Sequence, residues 1–431
     1  MKKISIIPSK QPINGEITVP GSKSYTNRAL VMASLAKGSS EISEASRCDD
    51  CGVLVGALRQ LGIAITRHGD GISIIGNGGD FKEFRGEINV GHAGTAMRFL
   101  VAVCSLVPGE IILDGSDRMR ERPIGDLVNA LRHLGADIQY VNKRGFPPLK
   151  ISGGVLKGGE VSIDGDISSQ YFTALLLIAP ILEEGIEIKV VGKQVSPSYI
   201  DMTISGLRDF GVEAINNDYQ EYIIGTESNY QPSQYTIEGD ASGASYFWAL
   251  AAITGGKVKV KNIDPRSAQG DVEFADVLVK MGCKMTQNSA DKWIRVIGPA
   301  QLKSIAEIDM NSMPDTAQTL AVVAAYAEGE TKITGLQNLR VKETDRLAAL
   351  RAELKKMKVK TKIGDNYIII IGGKPKGAVV ETYQDHRMAM SLAVSGVKTS
   401  GMKILKPSVV DKSFPSFWEE LESLGVKLIR K

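Results

Sequence analysis

GEITVPGSKSYTNRALVMASL, residues Gly15 to Leu35, decides how this chain is built. Ile17, Thr18 and Val19 give a short strand, Pro20-Gly21-Ser22 a turn, and the polar groups Ser22, Lys23, Ser24, Asn27 and Arg28 lead into an apolar helical run. A strand that breaks at small residues into a helix leaves backbone N–H groups and the positive end of the helix dipole facing outward, which suits an anion. The pattern returns five times. GEINVGHAGTAMRFLVAV begins at Gly86, GEVSIDGDISSQYFTALLLIA at Gly159, QYTIEGDASGASYFWALAA at Gln234, AEIDMNSMPDTAQTLAVVAA at Ala306 and AVVETYQDHRMAMSLAV at Ala378. The spacing is roughly 72 residues, longer than the ~20–50 of solenoid units, and it marks a repeat architecture. Function is expected where several of these helix starts converge.

A second pattern follows each first helix: VLVGALRQLGIAI, LVNALRHLGADI, MTISGLRDFGVEA, FADVLVKMGCKM, LAALRAELKKMKV and FWEELESLGVKL. Apolar residues at helical spacing predict an amphipathic helix, stopped by Gly62, Gly135, Gly211, Gly282 and Gly425, with Lys358 in that place in the fifth copy. A polar hairpin comes next, so the unit reads strand–helix–strand–helix–strand–strand and the fold class is α/β. The sixth unit ends early, after VKLIRK, and Lys3–Ile7 has the character to supply its missing strand. Six units on one core would be large, so two sets of three are expected. The chain would then cross near Pro20–Gly21 and near Gly239–Asp240. The first domain is residues 21–239; the second is 1–20 with 240–431.

Composition narrows the classes of function. Lys and Arg total 52 against 49 Asp and Glu, a formal net charge of +3, with no long basic run or aromatic-basic interleaving, which argues against a nucleic-acid partner. MKKISIIPSKQP is neither a signal nor a transit peptide, no run approaches ~18 apolar residues, and a cytoplasmic protein is expected. Cys48-Asp-Asp-Cys51 has CxxC spacing without a second pair, and reduced thiols are the expected state of all four cysteines. GxGxxG after a strand, GxxxxGK[ST], HExxH and GxSxG do not occur, so no cofactor or metal is expected.

The densest polar stretch is NLRVKETDR, Asn338 to Arg346. Glu343 and Asp345 suit a helix start, whereas Arg340, Lys342 and Arg346 put cations where the dipole opposes them. An anionic ligand accounts for that better than stability does. Arg118, Arg120 and Arg122 repeat the pattern before a helix expected to begin at Pro123. Lys23, Arg28, Arg98, His386, Arg387 and Lys412 extend the set. Like charges ~4 Å apart repel by roughly 4 kcal/mol at an effective dielectric near 20, so five or more cations need a polyanion to join them. Asp315 and Glu343 are the candidate acid and base, although capping is the default for an Asp before TAQTLAVV. Ser168, Ser169 and Gln170 offer neutral hydrogen-bond partners where a helix begins, and plain capping would look the same.

PGSKSYTNRAL, AGTAMR, RERPIG, SSQY, VKETDRL, Asp385-His386-Arg387 and DKSFPSF stand in one order from about residue 20 to 418, and the chain so resembles the 5-enolpyruvylshikimate-3-phosphate synthase family. The resemblance implies two similar domains of three βαβαββ units each, an inside-out α/β barrel, with the active site in the interdomain cleft. It implies transfer of the enolpyruvyl group of phosphoenolpyruvate to the 5-hydroxyl of shikimate 3-phosphate, by addition and elimination without a metal, in aromatic amino acid biosynthesis. Lys23, Ser24, Arg28, Ser168, Ser169, Ser196, Asn338 and Lys342 would hold shikimate 3-phosphate. Lys23, Gly94, Arg122, Gln170, Arg346, Arg387 and Lys412 would hold phosphoenolpyruvate. Asp315 would be the base for the 5-hydroxyl and Glu343 the proton donor to the methylene carbon, with Lys23 beside them. Tyr199, His92 and His386 are further candidates. His92 and Phe99 depart from the common pattern beside the phosphoenolpyruvate pocket, which bears on sensitivity to glyphosate, the family's usual inhibitor. A monomer is the family expectation.

The nearest rival is the related transferase acting on UDP-N-acetylglucosamine, which has Lys-Asn in the first turn and a loop cysteine; here the turn reads Lys23-Ser24 and Asp114–Arg122 has no cysteine. A non-catalytic phosphometabolite-binding protein is the rival from another class, and two carboxylates beside the cations argue against it. A cleft lined by cations should stay open until a multiply charged substrate binds. Small-angle scattering is therefore expected to show compaction when ligand is added, and an unchanged profile would refute the closure.

Overall fold

A computed structural model describes residues 2–431. The chain divides into two compact units, Gly21–Ile237 and Met1–Pro20 with Glu238–Lys431. Each unit carries three four-stranded sheets with one plan. In the second repeat, Phe84–Asn89 pairs in parallel with Gly109–Asp114, which pairs antiparallel with Leu149–Gly153, and that strand with Asp137–Tyr140. The parallel pair needs a crossover, and the apolar helix Gly94–Cys104 supplies it. The antiparallel pairs are closed by the amphipathic helix Gly125–His133 and a hairpin.

Three sheets recruit a strand from far along the chain. Lys3–Ile7 lies between Lys403–Leu405 and Lys427–Arg430, with Ile4 opposite both Ile404 and Arg430. Asn14–Thr18, which precedes the first repeat's helix, pairs with Lys257–Lys261 of the fourth repeat, and Gln234–Thr236 pairs with Lys37–Ser43 of the first. The strands that open repeats one and four are thus exchanged, and each unit completes its own sheets.

The opening helices lie at the centres of the units, which is why they are apolar on all sides. Ala241–Thr254 buries every residue from Ala241 to Ile253. It packs against Ala317–Ala324 and His386–Gly396, and Thr319 Oγ1 stands 3.4 Å from Ser245 Oγ and 3.2 Å from Ser391 Oγ. Lys23–Leu35, Gly94–Cys104 and Ser169–Ile178 pack together in the other unit. Among the described residues no helix is long and apolar enough to cross a membrane.

The second helices stop as their glycines predict, with φ between +80° and +104° at Gly62, Gly135, Gly211, Gly282 and Gly425. Lys358 takes the same left-handed turn at φ +61°, a conformation that is costly for a residue with a Cβ. A second glycine signature was not read from the sequence. The last strand of a unit ends on a residue pressed against the C-terminal carbonyls of that repeat's opening helix. A Cβ on Gly372 would stand 2.0 Å from Ala327 O and 2.4 Å from Ala324 O, and Gly76, Gly153 and Gly298 are held as tightly. Gly373 next door has nothing within 4 Å. Gly372→Ala should therefore cost about 1–3 kcal/mol of stability, and Gly373→Ala little. All three tryptophans, Trp248, Trp293 and Trp418, lie in this unit, so denaturant unfolding followed by tryptophan fluorescence reads the difference.

Candidate active site

In the unit Gly21–Ile237, Ser22 caps Lys23–Leu35 by accepting from Tyr25 N at 3.4 Å. Lys23 leaves the first turn and donates to Asp50 Oδ2 at 3.1 Å. Arg28, one turn on, is buried with uncharged partners only. Nε donates to Thr203 Oγ1 at 2.9 Å, Nη1 to Ser24 O at 2.9 Å, and Nη2 to Tyr199 O at 2.9 Å and Thr173 Oγ1 at 3.4 Å. Its guanidinium also lies 5.8 Å from the centre of the Phe99 ring. Burial without a carboxylate brings the Arg28 pKa down to about 10. A buried charge held by neutral dipoles is a standing attraction for an anion.

The arginine turn separates into roles. Arg118 pairs with Glu121 at 2.9 Å, and Arg120 with Asp114 at 2.6 Å. Arg122 is 5 % exposed, and its Nε has no hydrogen-bond partner. It rests against Gly94, where a Cβ would stand 2.2 Å from Nη1, so only glycine admits the guanidinium there. Arg98 serves the turn itself, donating to Pro123 O at 2.7 Å and Gly94 O at 3.3 Å. The helix begins at Gly125 rather than Pro123, because the arginines occupy a 3₁₀ turn, Met119–Glu121, that ends first.

Ser168 caps Ser169–Ile178 through Gln170 N at 3.3 Å, and Gln170 Nε2 reaches Thr95 Oγ1 at 3.3 Å. Ser196 is buried at φ +52°, in the turn before Ser198–Asp209 and Tyr199. His92 is exposed, with Nδ1 2.9 Å from Ser116 Oγ. Phe99 is buried on the Arg28 side.

The other unit solves the charge problem differently. Asp315 does not cap a helix: it lies in the 3₁₀ turn Pro314–Thr316 and accepts from Arg346 Nη1 at 2.9 Å and Arg387 Nη2 at 2.7 Å. Glu343 accepts from Arg346 Nη2 at 2.8 Å and stands 3.7 Å from Lys412 Nζ. Asp385 caps His386–Gly396 through Arg387 N and accepts from Arg346 Nε at 2.7 Å. Burial opposes the Arg346 charge, but Asp385, Glu343 and Asp315 outweigh it and raise the pKa above the ordinary range. The picture of uncompensated cations therefore fails here, where Arg346, Arg387 and Lys412 face Asp315, Glu343 and Asp385. Arg340 turns away, to Asp345 at 2.9 Å and the carbonyls of Asp365 and Gly364. Asn338 is buried and Lys342 half-buried beside this cluster in sequence, and His386 Nδ1 lies 3.8 Å from Asp385 Oδ1.

Sequence reasoning gave no role to Asp50, Asp271 or Ser242, and quoted Asp385 only as part of a motif. An acid in the first turn of a helix was the available signal for Asp50, and an acid at the N-cap for Asp385. Nothing local marks Asp271, whose carboxylate accepts from Ser242 Oγ, itself 3.3 Å from Arg387 Nη2. Burial, then the charge of Asp315, pushes Asp271 from 3.8 up to about 7. Between pH about 4 and 7 the folded chain holds a proton there that the unfolded chain releases, so this group's contribution to stability falls as pH rises. Unfolding free energies measured across that range should decline less in Asp271→Asn than in the unaltered chain.

A family model described as EPSP synthase (3-phosphoshikimate 1-carboxyvinyltransferase) matches residues 7–421. A 3-phosphoshikimate 1-carboxyvinyltransferase of Vibrio atlanticus is 44% identical over 421 residues, 96% of this chain and 98% of the relative. One of Sulfurovum sp. is 44% identical over 430 residues, 99% of this chain and 100% of the relative. A solved EPSP synthase of Acinetobacter baumannii superposes with a TM-score of 0.83 at 27% identity, covering 100% of both chains.

Proposed function

The chain belongs to the EPSP synthase family, and from that premise we propose how its own residues carry the reaction. It is a transferase that moves the enolpyruvyl group of phosphoenolpyruvate to the 5-hydroxyl of shikimate 3-phosphate, a step of the shikimate pathway, and releases phosphate. Lys23, Ser24, Arg28, Ser168, Ser169, Ser196, Asn338 and Lys342 bind shikimate 3-phosphate. Lys23, Gly94, Arg122, Gln170, Arg346, Arg387 and Lys412 bind phosphoenolpyruvate. Tyr199 contributes its carbonyl to Arg28, and His92 and His386 are further candidates. The observation that carries the reading is the convergence of Asp315 and Glu343 on one guanidinium, at 2.9 and 2.8 Å from Arg346.

Arg346 and Arg387 each donate to one oxygen of Asp315. A carboxylate and a phosphate from phosphoenolpyruvate compete for those donors, and Asp315 is then free to accept the proton of the 5-hydroxyl. Glu343 delivers a proton to the methylene carbon, so C–O bond formation and C–H bond formation together give a tetrahedral intermediate. In the elimination the Glu343 carboxylate takes a proton back from the new methyl group, the C–O bond to phosphate breaks, phosphate leaves with the proton held by Asp315, and the enol ether is formed. The cations stabilise negative charge on carboxylate and phosphate throughout. We further propose that the chain acts as a monomer in the cytoplasm: every assigned residue lies on one chain, and four free cysteines suit a reducing compartment.

Phosphate release should be measured with phosphoenolpyruvate plus shikimate 3-phosphate and, separately, with UDP-N-acetylglucosamine. Release with the first acceptor alone is expected, and Asp315→Ala and Glu343→Gln should each lower kcat by roughly 10²–10⁴-fold. Full activity in either variant would remove that residue from the acid–base pair, and release with neither acceptor would favour a binding protein.

A further inference from the structure

Cys48-Asp49-Asp50-Cys51 is a spaced pair for which the reaction has no use. Cys48 is the N-cap of the helix Asp49–Gln60 and Cys51 lies in its first turn, with Cys51 N donating to Cys48 O at 3.2 Å. Their sulfurs are 3.5 Å apart and share a hydrogen bond. Both are buried, and the next residue, Gly52, is exposed. The pair also touches the proposed site. Cys51 Sγ is 3.9 Å from Lys23 O, and Asp50, between the two cysteines, holds Lys23 Nζ at 3.1 Å.

Buried cysteines are ordinarily small apolar residues. Cys104 and Cys283 fit that description: both are buried, and burial pushes each thiol up to about 12. The CxxC pair is chemically different. The hydrogen bond from Cys51 holds the Cys48 thiol below its ordinary range, while burial and its neighbour push Cys51 up. One sulfur is thus the better nucleophile and the other a thiol in reach to resolve the product.

We propose that Cys48 and Cys51 are a redox-active dithiol, a modification site that a low-molecular-weight disulfide converts to an intramolecular disulfide, and that this closure misaims Lys23. The second half rests on the reading of Lys23 as a substrate-binding residue. Cys48 as thiolate attacks one sulfur of the small disulfide and expels a thiolate, forming a mixed disulfide. Cys51 gives up its proton and displaces the second thiolate. Two protein thiols are oxidised, one external disulfide is reduced to two thiols, and the protons balance. Bonded sulfurs lie about 2.05 Å apart, so the pair must close by about 1.5 Å from 3.5 Å with Asp49 and Asp50 inside the tightened loop. Asp50 lies inside that loop, so the proposed closure is passed to Lys23 through the Asp50 contact.

The test incubates the full-length chain with hydroxyethyl disulfide, then maps peptides by mass and measures phosphate release. Expected are the loss of two hydrogens on the peptide holding both cysteines, a fall in kcat/KM of about tenfold or more, and recovery with dithiothreitol. Cys104→Ser/Cys283→Ser should respond as the unaltered chain does. Cys48→Ser should keep its activity in the oxidant, and Cys51→Ala should stop at the mixed disulfide on Cys48, seen as one added thiol group in the mass map. A chain that releases phosphate but forms no Cys48–Cys51 bond overturns the dithiol and leaves the enzyme reading intact. A bond formed with unchanged kcat/KM overturns the coupling to Lys23. A chain inactive before oxidation fails the enzyme reading, and the mass map still decides the dithiol.

Discussion

Arg346 is a guanidinium with 2% of its side chain exposed, and its unit is arranged around keeping it charged. Desolvation of such a group costs several kcal/mol unless its donors are matched. The match comes from three places in sequence: the turn Pro314–Thr316, the segment just before Arg346–Lys356, and the N-cap of His386–Gly396. Asp385 takes Nε, Asp315 takes Nη1, and Glu343 takes Nη2. Satisfying one arginine therefore fixes the positions of the two carboxylates assigned to catalysis and, through Asp315, of Arg387. An apolar cluster of equal volume would stabilise the unit as well or better. What such a cluster could not do is exchange its internal anions for those of a substrate.

The same repeat is used in the opposite way in Gly21–Ile237. Arg28 is as thoroughly buried, yet its donors end on two threonine hydroxyls and two carbonyls, and burial draws its pKa down. Arg122 keeps an Nε without a partner. Neutral acceptors satisfy geometry without cancelling charge, so these groups retain their attraction for an anion before any has arrived. Helix starts add to it, since Lys23 and Arg28 stand where the dipole is already positive. An architecture of repeated helix starts thus supplies two kinds of buried arginine, Arg28 held by neutral acceptors and Arg346 neutralised by carboxylates.

Much of the fold was legible because periodicity is local. Strand, turn, apolar helix, amphipathic helix and hairpin could be read from spacing, and a glycine after five of the six second helices announced the left-handed stop. The exchange of Asn14–Thr18 and Gln234–Thr236 between repeats was not visible as pairing, since a β-ladder joins residues hundreds apart and either partner would satisfy the same hydrogen bonds. The crowding of Gly372 against two carbonyls is equally nonlocal. Motif order supplied most of the candidate site residues, but the division of labour among cations did not follow from charge. Arg340 and Arg120 look like Arg346 and Arg122 in the sequence, and only folding shows that the first two are held by Asp345 and Asp114.

Asp315 shows why a local default can mislead. An Asp before an apolar helix ordinarily caps it, accepting a backbone N–H worth ~1 kcal/mol. Here the turn that carries it is 3₁₀, the helix begins at Ala317 without a side-chain cap, and both carboxylate oxygens are held by arginines. A cap is a fixed partner, since a backbone N–H cannot leave its helix. A guanidinium is a partner that another anion can claim. A base that must accept a substrate proton needs hydrogen bonds it can give up, and the two arginine contacts of Asp315 are of that kind, which suits the role proposed for it.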